Sequence, residues 1–203
     1  MDSTIAKKIY SRVNIFNVAS TIVETPCDPS KFKKIHFACG NEIISDWLNV
    51  DLRPTYRFSK ADRQRYMRLN LCGKYPFKDG HFQFGYSQDF LEHLSQADSI
   101  IYLSEAFRIL APGGVLRISS PGLKNVLAKH YRKTTFKGSR QGMLEAYTLW
   151  GHHHFYSEET IALVAKHLGF RKVEVRPANE SVYPELRGLD TRLDQADLNL
   201  IVE

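Results

Sequence analysis

From Lys34 to Leu52 the chain reads KIHFACGNEIISDWLNVDL. A short apolar run, Ile35-His36-Phe37-Ala38, stops at Cys39-Gly40. A polar loop follows, and a second run, Trp47-Leu48-Asn49-Val50, ends on the carboxylate of Asp51. Strand, glycine turn, strand, acid is the order that holds a nucleotide-like ligand. The small turn lets backbone come close, and the acid at the next strand end can accept from ribose hydroxyls. The loop between the two runs is too short for a crossover helix of ordinary length, so a shortened first crossover is expected.

Outward from this stretch the pattern continues as alternating strands and helices. Apolar runs predict strands over 35–38, 47–50, 66–69, 82–86, 115–119, 171–175 and 198–202. Residues 90–94 begin a helix, and Ile100, Leu103, Phe107 and Leu110 recur at helical spacing in the next one. Ala111-Pro112-Gly113-Gly114 ends that helix and turns the chain into the fifth strand. Ser157 caps a later helix whose first turn carries Glu158 and Glu159, and Gly169 stops it. The alternation argues for an α/β layer sandwich around a mainly parallel sheet.

The chain has 203 residues, enough for one domain with a real core. Residues 4–24 predict an amphipathic helix with Ile5, Ile9, Val13 and Phe16 on one face. The chain therefore divides into an N-terminal helical extension over 1–30 and a main domain over 31–203. Asn14 and Asn17 interrupt that apolar segment, and no small-x-small cleavage site follows it, so it does not read as a secretory signal. No run is long enough to span a bilayer. Three cysteines, Cys27, Cys39 and Cys72, lack metal-ligand spacing, and a reduced, cytoplasmic setting is expected. The net charge of +6 favours anionic ligands or partners.

Three stretches in order carry a resemblance. They are Phe37-Ala38-Cys39-Gly40 through Asp51, Tyr75 to Phe82 with Ser87 to Leu94, and Phe107 to Leu116 with its Pro-Gly-Gly turn; Trp150 to Ser157 adds a fourth. Together they resemble the class I S-adenosylmethionine-dependent methyltransferases, in particular the small bacterial, methyltransferase type 11-like branch. The resemblance implies a Rossmann-like three-layer sandwich whose mainly parallel sheet has seven strands, the last antiparallel. It implies S-adenosylmethionine as cofactor and S-adenosylhomocysteine as product. Ala38, Cys39 and Gly40 would pass under the methionine part, Asp51 and the adjacent Leu52 would sit at the ribose, Asn70 and Leu71 at the adenine, and Ser87 and Gln88 near the sulfonium. The chain departs from that pattern at His36, Ala38, Asn70, Gln83 and Asp89. At Ala38, a position needing positive φ would resist the side chain.

For proton transfer, Asp89 and His93 stand one helical turn apart and are candidate bases; the alternative is that Asp89 caps the helix and His93 packs on it. In His152-His153-His154 neighbouring rings point to different faces, so no metal is expected there. An extended stretch puts His152 and His154 on one face, which favours that pair as base or substrate contacts. Tyr131, Arg132 and Lys133 lie in a basic loop suited to an anionic acceptor such as a phosphate or sugar nucleotide, and Tyr156 could wall the site. The partner expected is thus a small hydroxylated or anionic molecule of the sugar or secondary-metabolite type. Two rivals stand: a non-catalytic methyltransferase-like partner protein, and a nucleic-acid methyltransferase or binding module, which the lack of a recognised RNA-binding module disfavours.

Overall fold

The computed structural model describes residues 22–203; the predicted helix over 4–24 and most of the extension over 1–30 lie outside the described residues. A seven-stranded sheet runs in the order β1-β4-β3-β2-β5-β6-β7. The strands are β1 (Ile22–Glu24), β2 (Lys34–Phe37), β3 (Leu48–Asp51), β4 (Tyr66–Leu69), β5 (Phe82–Gln88), β6 (Leu110–Pro121) and β7 (Asn199–Val202). The five strands from β4 to β6 are parallel, and β1 and β7 pair antiparallel at the two edges.

Six of the seven expected strands form. The expected strand over 171–175 is reduced to one bridge, Val175 to Val202. The sheet reaches seven because Ile22–Glu24, expected at the end of a helix, extends along β4 instead.

One face of the sheet carries the apolar core. Ile35, Phe37, Leu48, Val50, Met67, Leu69, Leu116 and Ile118 meet helix α1 (Gln96–Ile109) and helix α4 (Glu158–Leu168). Each fully buried aliphatic side chain there contributes roughly 1.5–3 kcal/mol. Ser95 caps α1, accepting from the Asp98 amide, while the helix expected from residue 90, which Asp89 could have capped, is only a 3₁₀ turn without a side-chain cap. The buried side of α1 is Ser99, Tyr102, Leu103, Ala106 and Ile109, one position away from the expected stripe. Phe107 is displaced onto a second seam, where it stacks edge-on against Phe170 with ring centres 5.0 Å apart. That ring lies where a Cβ on Gly169 would stand, 2.6 Å from it, and Gly169 has φ 110, so both space and conformation require glycine at this cap. The Pro-Gly-Gly turn is not a connection but a bulge inside β6: α1 ends at Ile109 and β6 begins at Leu110.

The other face mixes buried polar groups with aromatic side chains and, among the described residues, is covered by loop in place of the third helical layer that was expected. The β2–β3 connection, residues 38–47, contains no helix, as its length predicts. The β3–β4 connection holds only 3₁₀ turns at Thr55–Arg57 and Asp62–Arg65. The buried amide of Asn49 organises both connections. Its Oδ1 accepts from the Ile44 amide at 2.9 Å, and its Nδ2 donates to the carbonyls of Ile44, Trp47 and Arg65. His36 donates from Nδ1 to the same Oδ1 and stacks on Tyr86, and burial lowers its imidazole to about 4, so the ring is neutral. Beyond β5, Leu186 and Leu189 pack with Trp47, Tyr86 and Phe84. Arg117, wholly buried, fixes this loop by pairing with Asp190 and Glu203 at 2.5 Å each and donating to the carbonyl of Glu180.

Candidate functional site

Parallel sheets offer a crevice where the strand order reverses. Here β2 leads to β3 and β4 on one side, while β5 and β6 lie on the other, so the crevice opens between the C-terminal ends of β2 and β5. Both strand ends are conformationally strained. Ala38, just past β2, has φ 51, and Asp89, just past β5, has φ 48. A left-handed non-glycine residue costs roughly 1–2 kcal/mol and clusters at functional sites. Gly40 follows with φ 59, and its amide donates to Asp51 Oδ2 at 2.9 Å. The Arg53 amide donates to Asp51 Oδ1 at 3.0 Å, so backbone groups fix this carboxylate at the end of β3. Thr191 bridges the two banks. Its hydroxyl lies 3.2 Å from Glu42 in the β2–β3 connection and 3.0 Å from Gln88 Oε1 on β5.

Beyond β5 and β6 lies a cavity of about 290 Å³. Its floor is Asp89, Glu92 and His93, and its walls include His130, Glu145, His152 and Arg192. Helix α2 (Leu123–His130) and the π-helical turn Leu144–Thr148 supply one side, held by the cluster of Val126, Ala146 and Phe155. Asp89 Oδ2 pairs with Arg192 at 3.3 Å, whereas its Oδ1 is buried without a partner. Burial raises the Asp89 carboxyl above its ordinary range, against the opposing pull of Arg192. Glu92 is 3% exposed, its Oε2 has no hydrogen-bond partner, and burial pushes its carboxyl up to about 8. The rings of His93 and His152 meet edge to face with centres 4.8 Å apart. One ligand-capable atom from each of Glu92, His93 and His152 lies within 4.8 Å of the other two.

A family profile described as a methyltransferase domain matches residues 23–175, three quarters of the sequence. The chain belongs to the methyltransferase-domain family. No curated protein matches it. Among solved structures, the methyltransferase-domain chain resembles phosphoethanolamine N-methyltransferase 2 of Haemonchus contortus in complex with S-adenosyl-L-methionine. That likeness has 18% identity and a TM-score of 0.54, and covers 87% of this chain and 39% of the other. It also resembles an S-adenosylmethionine-dependent methyltransferase of Mesorhizobium loti (17% identity, TM-score 0.54, 86% and 92% covered). A third likeness is a putative methyltransferase of Haloferax volcanii in complex with the Trm112 activator (13% identity, TM-score 0.51, 98% and 92% covered). At these identities the likeness is one of fold. The chain spans about two fifths of the Haemonchus protein's length.

The expected site residues of this methyltransferase domain divide sharply. Ala38, Gly40, Asp51 and Gln88 border the crevice, and Leu52 is 55% exposed beside Asp51. Cys39 is buried, which pushes its thiol well up and makes it a packing group. Asn70 is exposed and accepts from the Cys72 amide at 3.0 Å. The side chain of Leu71 lies in the core, and the Tyr75 hydroxyl donates to its carbonyl. Ser87 is closed in as well, accepting from Tyr102 at 3.0 Å on the apolar face.

Asp89 and His93 do meet in the cavity, although not across a helical turn, since the chain forms only a 3₁₀ turn at Leu91–His93. The pairing of His152 with His154 fails. His152 faces the cavity with Nδ1 on the Ala146 carbonyl at 2.7 Å, whereas His154 turns to the Leu94 carbonyl and packs on Tyr156. Tyr156 is core, its hydroxyl bonded to Gln96 and Ser99, and it lines no site. Tyr131 packs in the cluster under the cavity. Arg132 and Lys133 line a second, open groove of about 570 Å³ together with Lys137, and His130 borders both. Glu92, Glu145 and Arg192 were not foreseen. The only sequence signal for Glu92 is an acid set between Leu91 and Leu94, both buried.

Proposed function

We propose that the chain transfers a methyl group from S-adenosylmethionine to a small hydroxylated or anionic acceptor held in the cavity over Asp89. The observation that carries this reading is adjacency: the crevice ended by Ala38, Gly40 and Asp51 lies beside a cavity floored by the next strand end. A cofactor in the first and an acceptor in the second would meet above Asp89, the geometry an in-line displacement needs. Family membership supports the reaction, and the donor is the ligand named with a Haemonchus neighbour. Asp51, held by two amides, keeps lone pairs for ribose hydroxyls, each bond worth roughly 1.5–3 kcal/mol.

In the displacement the acceptor oxygen or nitrogen attacks the methyl carbon, and the carbon–sulfur electron pair stays on sulfur. S-adenosylhomocysteine then leaves as a neutral thioether. The acceptor's proton passes to a base, for which Asp89, with one free carboxylate oxygen and a raised pKa, is the first candidate and His93 the second. Arg132 and Lys133 in the adjoining groove suit the anionic end of a phosphate or sugar-nucleotide acceptor.

The test is transfer of labelled methyl to a panel of such acceptors. Asp89→Asn tolerates the left-handed backbone and should lower turnover by about 10²-fold or more, with S-adenosylmethionine affinity changed by less than about threefold. Equal turnover would remove Asp89 as the base. A second reading, a cofactor-binding partner protein without turnover, is favoured by one observation, the strained alanine at position 38. Transfer to no acceptor, with cofactor binding intact, would select it.

A further inference from the structure

We infer that Glu92, His93 and His152 form a binding site for a divalent transition-metal ion of borderline softness, such as Zn²⁺, Fe²⁺, Co²⁺ or Mn²⁺. Two imidazoles and one carboxylate, drawn from a 3₁₀ turn after β5 and from the loop before α4, converge with ligand atoms within 4.8 Å of one another. Such a set suits these ions, because imidazole favours zinc and iron while carboxylate brings in the harder manganese. The run His152-His153-His154 contributes only its first ring, so the geometric objection to three adjacent ligands does not apply.

An independent observation points to a cation. Glu92 is 3% exposed and lines the cavity, yet Oε2 has no partner in the protein. A buried carboxylate oxygen without a donor is costly, and proteins relieve it by protonation, by a basic partner or by coordinating a cation. The arginine that lines the cavity, Arg192, pairs with Asp89 and Asp194. His152 is oriented as metal-bound imidazoles are, its Nδ1 held by the Ala146 carbonyl so that Nε2 is the free nitrogen. Asp89 lies outside this set of ligand atoms and pairs with Arg192, so it stays available as the base.

Three protein ligands leave positions open toward the cavity, as sites that act on a bound molecule do. An acceptor hydroxyl on the ion would pass its proton to Asp89 more readily and reach the methyl carbon as an oxyanion, with His93 then a ligand and not a base. This role rests on the methyl-transfer reading; the site itself does not.

The experiment strips metal from the full chain with a chelator and titrates Zn²⁺ by calorimetry, with Co²⁺ absorption as a second readout of imidazole coordination. One ion per chain is expected. Glu92→Gln and His152→Asn should each weaken binding by at least the roughly 10–100-fold that loss of an outer-shell partner costs, with circular dichroism unchanged, and the exposed His153→Gln should leave it as it was. No stoichiometric binding, or equal affinity in all three variants, overturns the proposal. S-adenosylhomocysteine titrated into the same stripped protein separates the two claims. Binding there without a metal site sinks only the site, and a metal site without cofactor binding sinks the methyl-transfer reading alone.

Discussion

Replacing Glu92 by Gln should stabilise the metal-free protein, and by an amount set by pH. The carboxyl is buried, and its pKa rises from the ordinary 4.5 to about 8 because desolvation penalises the charged form. Below 4.5 it is protonated in both the folded and unfolded chain, and the substitution changes nothing by this route. Between 4.5 and about 8 the unfolded chain ionises first, so the folded state loses ground as pH rises. Above about 8 the whole penalty is present. At 1.36 kcal/mol per pH unit, the rise caps it at roughly 5 kcal/mol, and about 3 kcal/mol is expected once the site relaxes.

Glutamine has nearly the same volume and carries no charge, so it escapes this penalty. Urea unfolding of both proteins with chelator, at about pH 5 and about pH 9, reads the difference directly. The expected result is a gain below about 1 kcal/mol for the variant at the lower pH and of about 3 kcal/mol at the higher one. A gain that is the same at both pH values, or a loss at the higher one, would refute the argument. It would mean that the carboxylate has a partner or solvent access after all.

Two further substitutions test the frame of the site. Arg117→Met leaves Asp190 buried without its cation and Glu203 with Arg176 alone, and should cost about 3–5 kcal/mol; a loss under about 1 kcal/mol in urea unfolding would show that the loop over the second face does not depend on Arg117. Ala38→Gly removes the left-handed penalty but adds unfolded-state freedom and gives up a partly buried methyl, so a net gain of about 0.5 kcal/mol is expected, and a clear loss would contradict the assigned backbone conformation.

The parallel strands were legible because short apolar runs bounded by turns have few other uses. The cap at Ser157 and the stop at Gly169 were legible because each rests on local chemistry alone. What local pattern cannot supply is the partner across the fold. Leu71, Ser87 and Tyr156 were expected at the ligand, and nothing in the sequence signals the bonds from Tyr75, Tyr102 and Gln96 that hold them in the packed interior. Arg117 reads as an exposed strand cation until Asp190 and Glu203, each more than seventy positions away, enclose it. The α1 stripe was misplaced by one residue because Ile100 and Phe107 are apolar but lie at the edge of the buried arc. The contact between Gly40 and Asp51 was legible in the sequence, since strand, turn and acid lie close together there. Glu92 was not, because its meaning depends on His152, sixty residues on.

The central claim is that the crevice between β2 and β5 binds S-adenosylmethionine through Asp51. Calorimetric titration of S-adenosylhomocysteine into the wild-type chain and Asp51→Ala tests it most directly. The wild type should bind one molecule per chain, and the variant should lose about 10–100-fold in affinity, the equivalent of roughly 1.5–3 kcal/mol. Equal binding by both, or none by the wild type at millimolar ligand, would contradict the account.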